Sequence, residues 1–167
     1  MMKNIAKLTA VVAATAALAS FPAYAGGGGS STVAATAIAR VITPVTIAQT
    51  TGLDFGTFAP GTDSAGTIDT SGNVTGGVNV VTVGNPGAFA VSGVSSANYT
   101  IVGDAHVTLK GTATSSPDMI AALTYPSSPR TLDGSGNDSF NVTGKLDVAK
   151  NQAADTYNGV YSIYVHY

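Results

Sequence analysis

"GVYSIYVHY" (159–167) is the stretch that decides the fold. In an extended chain successive side chains point to opposite faces. Tyr161, Ile163, Val165 and Tyr167 therefore share one face, and Ser162, Tyr164 and His166 share the other. The odd-numbered face is expected to meet a core, because a slip of one residue would bury the polar set instead.

Working outward, similar short runs recur, each closed by Gly, Asn, Asp, Pro or Ser. They are "TVAATAIARV" (32–41), "TPVTIA" (43–48), "LDFGTFA" (53–59), "TIDT" (67–70), "VTGGVNVVTV" (74–83), "AFAVSG" (88–93), "YTIVG" (99–103), "HVTLKG" (106–111) and "FNVTGKLDVA" (140–149). Pro44 fits only an edge or a bend, and Gly76-Gly77 suggests a bulge. "MIAALTY" (119–125) is compatible with a strand or one helical turn. Composition agrees: the chain has 20 glycines, and all its acids are aspartates, which prefer turns to helix interiors. Strands spaced about ten residues apart predict an all-β, immunoglobulin-like two-sheet β-sandwich with an N-terminal extended strand.

The first 25 residues read as a signal peptide. Lys3 and Lys7 give a positive start, Leu8 to Ala19 an apolar run too short to span a bilayer, and Ala23-Tyr24-Ala25 a small-x-small cleavage site. Removing 1–25 leaves about 140 residues, the size of one domain. The expected organisation is a signal peptide (1–25), a glycine tether with an N-terminal strand (26–42) and a β-sandwich (43–167). The mature charge, near −4 (about, by residue type), offers no footprint for nucleic acid or an anionic membrane. No later run is long and apolar enough for a transmembrane helix. A secreted protein without cysteine must take its stability from burial, backbone pairing or assembly.

"LDFG" (53–56), "GAFAVSG" (87–93) and the closing "YNGVYSIYVHY" (157–167) together resemble a widespread family of secreted bacterial β-sandwich domains of unknown function, over about residues 33–167. The resemblance implies a pilin-like or fimbrial structural domain, involved in attachment or biofilm, rather than an enzyme. It also implies a partner such as a periplasmic chaperone or an outer-membrane assembly protein. Familiar pilins often carry a disulfide and a tyrosine one position before the C-terminus; here cysteine is absent and Tyr167 is terminal.

Little in the sequence carries chemistry. A hydrolase or transferase needs a nucleophile with a base, paired carboxylates or a metal cluster. His106 and His166 each sit in an alternating strand pattern without a second ligand at metal-site spacing. "DGSGND" (133–138) offers Asp133, Ser135, Asn137 and Asp138 as oxygen ligands, yet it lacks the glycine and closing Glu of an EF-hand loop and reads as a turn. "GGVNVVTVGNPG" has neither a P-loop lysine nor a dinucleotide pattern. No cofactor and no metal are expected. Asn73, Asn98, Asn137 and Asn141 lie in N-x-S/T triplets, possible acceptors for glycans where the machinery exists.

The function therefore turns on the N-terminal strand. Val33, Ala35, Ala37, Ala39 and Val41 form one face, a ladder of small apolar groups suited to a narrow groove, behind a tether of four glycines. Either the strand completes its own sandwich, leaving a secreted binding module (lectin-like or adhesin), or it completes a second copy by β-strand addition. Some eight to ten main-chain hydrogen bonds at about 1 kcal/mol each would then lock copies together. A head-to-tail contact that does not close into a ring gives an open filament. The expectation adopted is donation, with Tyr161, Ile163, Val165 and Tyr167 as groove candidates on the C-terminal strand.

Overall fold

The computed structural model describes residues 31–167. The expected signal peptide (1–25) and the tether Gly26–Gly29 lie outside the described residues. Residues 31–39 carry no strand and are exposed at every position, with Val33 and Ile38 each 90% exposed. Residues 40–44 are also exposed and without strand, Val41 at 96%. The strand expected over 32–41 thus has no strand partner among the described residues. Alternation makes a segment capable of pairing, but a strand exists only where its N–H and C=O groups meet a second edge.

From Val45 onward the chain is an all-β sandwich with no helix among the described residues. The strands are β1 (Thr46–Thr51), β2 (Thr57–Ala59), β3 (Gly66–Asp69), β4 (Val74–Gly76), β5 (Asn79–Thr82), β6 (Gly87–Ser92), β7 (Asn98–Gly103), β8 (His106–Gly111), β9 (Met119–Thr124), β10 (Arg130–Thr131), β11 (Asn137–Val148), β12 (Tyr157–Asn158) and β13 (Ile163–His166). β1 begins just beyond Pro44, as that residue's missing donor requires.

One sheet runs β1-β6-β11-β9-β8-β12, with β3 added to β11 and β4 to β3; β10-β7-β13 form a second sheet, and β2 pairs with β5. All pairings are antiparallel, and β11 is the spine. Its residues 137–142 pair with β6, 143–146 with β9 and 145–148 with β3. Its even positions from Phe140 to Val148 are buried and its odd ones exposed. Phe140 faces Phe89 of β6 in register, and their rings stack with centroids 5.5 Å apart.

"MIAALT" is a strand: Met119, Ala121 and Leu123 are buried while Ile120, Ala122 and Thr124 are exposed, the period of two that pairing with β8 and β11 imposes. Gly76-Gly77 is a break rather than a bulge. Gly76, at φ 68°, ends β4, and the chain leaves the large sheet to form β5 beside β2. The closing run is also interrupted. Tyr157 and Asn158 pair with β8, residues 159–162 form no strand, and Ile163–His166 pair with β7 in the other sheet.

Candidate functional site

The three sequence signatures prove to be parts of one packing scheme, in which aromatic rings lie over glycines. In "LDFG", the main chain of Asp54 bridges Asn85 in both directions at 2.9 Å, and its carboxylate Oδ1 accepts the Gly56 N–H at 2.8 Å. Gly56 sits at φ 76°, and a Cβ there would meet the Thr82 carbonyl oxygen at 2.1 Å, so no other residue fits this corner. The corner aims Phe55 into the core over Gly144, whose added Cβ would lie 2.8 Å from the ring. Similarly, Gly87 and Gly93 of "GAFAVSG" leave space for the hydroxyl ends of Tyr161 and Tyr167, at 3.0 and 2.3 Å from a hypothetical Cβ. The Tyr167 hydroxyl then accepts the Val94 N–H at 2.6 Å. In a chain without cysteine these interlocks fasten the C-terminus to β6.

One side of the sandwich is left open. Among the described residues, no backbone hydrogen bond joins the wall 46–60 to the wall 153–167. Two clefts, of about 710 and 620 Å³, lie along this seam and share Leu53, Phe55, Leu109 and Tyr157 in their linings. Eleven apolar residues pack half-buried against the core, and seven of them line these clefts: Ile47, Leu53, Phe58, Leu109, Tyr157, Tyr161 and Ile163. Most of the half-buried apolar side chains of the domain thus border this seam, while Val74, Val81, Val83 and Ile120 are exposed elsewhere. The Tyr161 hydroxyl is the buried side-chain polar atom left without a hydrogen-bond partner among the described residues. Burial raises its pKa.

Of the four groove candidates, Tyr161 and Ile163 line the seam. Val165 packs on the core, and Tyr167 is spent on Gly93 and Val94, just past the end of β6. The opposite wall, Ile47, Leu53 and Phe58, was not legible, because Gly52 and Gly56 interrupt its alternation. The ladder Val33, Ala35, Ala37, Ala39 and Val41 belongs to the exposed segment described above.

The remaining polar clusters are structural. Arg130 on β10 donates to both carboxylate oxygens of Asp138 on β11, at 2.7 and 2.9 Å, and the Tyr99 hydroxyl of β7 donates at 2.7 Å. These bonds tie the two sheets. The guanidinium, ahead of the tyrosine and the Ser139 N–H, holds the Asp138 carboxyl below the usual carboxylate range. Burial, then the neighbouring carboxylate, pushes Tyr99 up to about 12. Asp155 accepts from the Thr112 hydroxyl, the Ala113 N–H and the Ser116 hydroxyl, which together hold its carboxyl well below the usual range.

"DTSGN" (69–73), between the paired β3 and β4, and "DGSGN" (133–137), between β10 and β11 of different sheets, make the same tight turn. In each, the aspartate Oδ1 accepts the N–H groups two and four residues on, at 2.8 and 2.9 Å, and the glycine sits at φ 82° or 83°. The Asp133 loop therefore already uses its carboxylate on its own backbone. No group of three or more His, Cys, Asp or Glu with metal-binding geometry occurs among the described residues. His106 and His166 are exposed on β8 and β13. Asn73, Asn98, Asn137 and Asn141 are all exposed, with the Asn73 amide donating to Asp69 and the Asn98 carbonyl accepting from Thr131.

Residues 45–167 match a family described as a domain of unknown function, DUF4402. The chain belongs to that family. The match begins at Val45, one residue before β1, so the DUF4402 domain coincides with the sandwich and leaves the exposed segment outside it. The expected resemblance from residue 33 is shortened accordingly. No curated protein and no solved structure matches the sequence.

Proposed function

We propose that this protein is a structural subunit of an extracellular bacterial filament, in which the N-terminal segment of one copy docks as a β-strand on the sandwich of the next. The observation that carries this reading is a complementary pair of deficits. The domain has an apolar seam that its own strands do not close, while the segment ahead of it has strand alternation and no strand partner. An apolar surface gathered in one groove is what an interaction site looks like, whereas singly scattered apolar residues are ordinary. Strand addition satisfies both deficits: main-chain hydrogen bonds for affinity and alternate small side chains in the groove.

The signal-like sequence of residues 1–25 supports assembly outside the cytoplasmic membrane, where a periplasmic chaperone or outer-membrane assembly protein would cover the seam before docking. Surface attachment is the role such a filament serves.

Negative-stain electron microscopy of the mature protein, beside a version lacking residues 26–42, tests the proposal. Filaments are expected from the first and monomers from the second, with polymerisation restored when the missing peptide is fused back as a donor. Compact monomers from both versions, with a glycan bound by the monomer, would overturn it in favour of a binding module.

A further inference from the structure

We infer that the donated strand, residues 32–41 of a second copy, hydrogen-bonds to the open edge of β13 and so becomes the fourth strand of the β10-β7-β13 sheet. This rests on the filament reading and assigns its acceptor edge.

The free strand edges of the domain differ in length, in regularity and in what lies beside them. A strand can add only where an edge presents a regular row of unpaired N–H and C=O groups; bulges and short edges prevent it. β1 is an edge, but its register shifts between Gln49 and Thr51. The β2–β5 ribbon shifts at Thr57/Phe58. β4 has three residues and ends in Gly76 at φ 68°, and β10 and β12 have two residues each. β13 pairs without interruption along its whole length, Ile163↔Gly103 to His166↔Thr100, and its other edge has no partner among the described residues; β1 offers an equal run, Thr46 to Gln49, but it ends at the register shift.

The chemistry of that edge fits the occupant. β13 reads Ile-Tyr-Val-His, without the lysine or proline that natural edges use to repel strands. Ile163 and Val165 point to the core side, and Ile163 and Tyr161 line the 710 Å³ cleft directly beside the edge. A strand added there would lay alternate side chains into this cleft. Val33, Ala35, Ala37, Ala39 and Val41 are small enough for a floor already occupied by Phe55, Phe89 and Val107.

Because the chain contains no cysteine, any disulfide reports an engineered pair. Neighbouring strands lie about 4.8 Å apart, within the Cα separation a disulfide spans. The donor series would be single Ala34→Cys, Thr36→Cys, Ile38→Cys and Arg40→Cys variants, all on the face away from the groove. Each would be mixed with Tyr164→Cys, on the outer face of β13, and with Thr75→Cys (β4) and Ala48→Cys (β1) as competing edges. All seven positions are exposed, so folding is not at risk. Filaments formed under reducing conditions and then oxidised are expected to give dimers with Tyr164→Cys at one or two alternate donor positions. The yield should be at least tenfold over Thr75→Cys. Cross-linking confined to Thr75→Cys or Ala48→Cys, in samples where microscopy shows filaments, would overturn the β13 assignment while leaving strand donation standing. Absence of filaments from the unmodified protein would overturn both.

Discussion

The ring of Phe55 over Gly144 provides a sharp test of how this domain is held together. A Cβ at residue 144 would lie 2.8 Å from Phe55 Cζ and 3.1 Å from Cε1. Ordinary carbon contacts sit at about 3.5–4.0 Å, so the ring or the strand must move by roughly half an ångström or more. In a close-packed core such overpacking costs about 1–3 kcal/mol, and Gly144→Ala is expected to destabilise by that amount. Phe55→Leu removes the Cε and Cζ atoms in question. It should cost about 1–3 kcal/mol itself, below the 3–5 kcal/mol typical of truncating a buried phenylalanine to alanine.

In the Phe55→Leu background the clash is gone, and Gly144→Ala should become neutral or stabilising by about 0.5–1 kcal/mol, the ordinary penalty of glycine within a strand. The double-mutant cycle thus predicts a coupling of about 1–4 kcal/mol, beyond the roughly 0.5 kcal/mol scatter of independent sites. Urea unfolding of the version lacking residues 26–42, followed by tyrosine fluorescence and far-ultraviolet circular dichroism, measures it. With slopes of about 1–3 kcal/mol/M, the shifts amount to fractions of a molar or more. An equal cost for Gly144→Ala in both backgrounds would refute the reasoning, since the glycine would then be required by something other than the ring.

Gly56→Ala combines a left-handed φ of 76° with a Cβ 2.1 Å from a main-chain oxygen, and should fail to give a protease-resistant domain. Asp138→Asn should cost about 1–3 kcal/mol at neutral pH by weakening the charged bonds to Arg130. Because the folded Asp138 pKa is lowered, its contribution is present above the unfolded value near 4 and is lost as pH falls through the folded one. The urea midpoints of wild type and Asp138→Asn should therefore converge below about pH 4. At the alkaline end, burial pushes Tyr99 and Tyr125 each up to about 12. Their folded values lie above the unfolded 10, so stability is complete below about pH 10 and should fall between about 10 and 12, which a pH series of melting curves would read. Calcium up to millimolar levels should leave the melting temperature unchanged, because the Asp133 carboxylate already accepts two backbone N–H groups; a rise at micromolar calcium would show the turn to be a site.

Much of the sandwich was legible because its strands are half-buried and so obey a period of two. "HVTLKG" and "TIDT" fall on β8 and β3 to within a residue, whereas "MIAALTY", open in the sequence between a strand and a helical turn, is decided for a strand by its pairing with β8 and β11. What was not legible is what only a partner decides. The run 32–41 alternates as well as any strand of the domain, yet forms none in the single chain. "GVYSIYVHY" alternates continuously, yet residues 159–162 cross from the edge of one sheet to the edge of the other. Periodicity reports a face, and it is silent about which edge will be met. The glycines of the signatures were visible as letters, but their purpose lies in rings up to 89 residues away, as between Phe55 and Gly144.

The same distinction bears on the composition of the segment that is proposed to dock. A segment rich in leucine or isoleucine, exposed until it meets its acceptor, would pair with any edge and aggregate. Alanine and threonine avoid that: exposing an alanine sacrifices little apolar area, at about 25 cal/mol per Å². The binding strength is then carried mainly by main-chain hydrogen bonds, which form only where a regular edge is free. The domain limits such edges, since β1 is interrupted in register, β4 and β12 are short, and the tyrosines of the closing run are fastened over glycines. Specificity in the proposed assembly is thus built on the acceptor side. Under the proposed assembly, a weakly hydrophobic strand would rely on the regularity of its acceptor edge rather than on apolar burial for its selectivity.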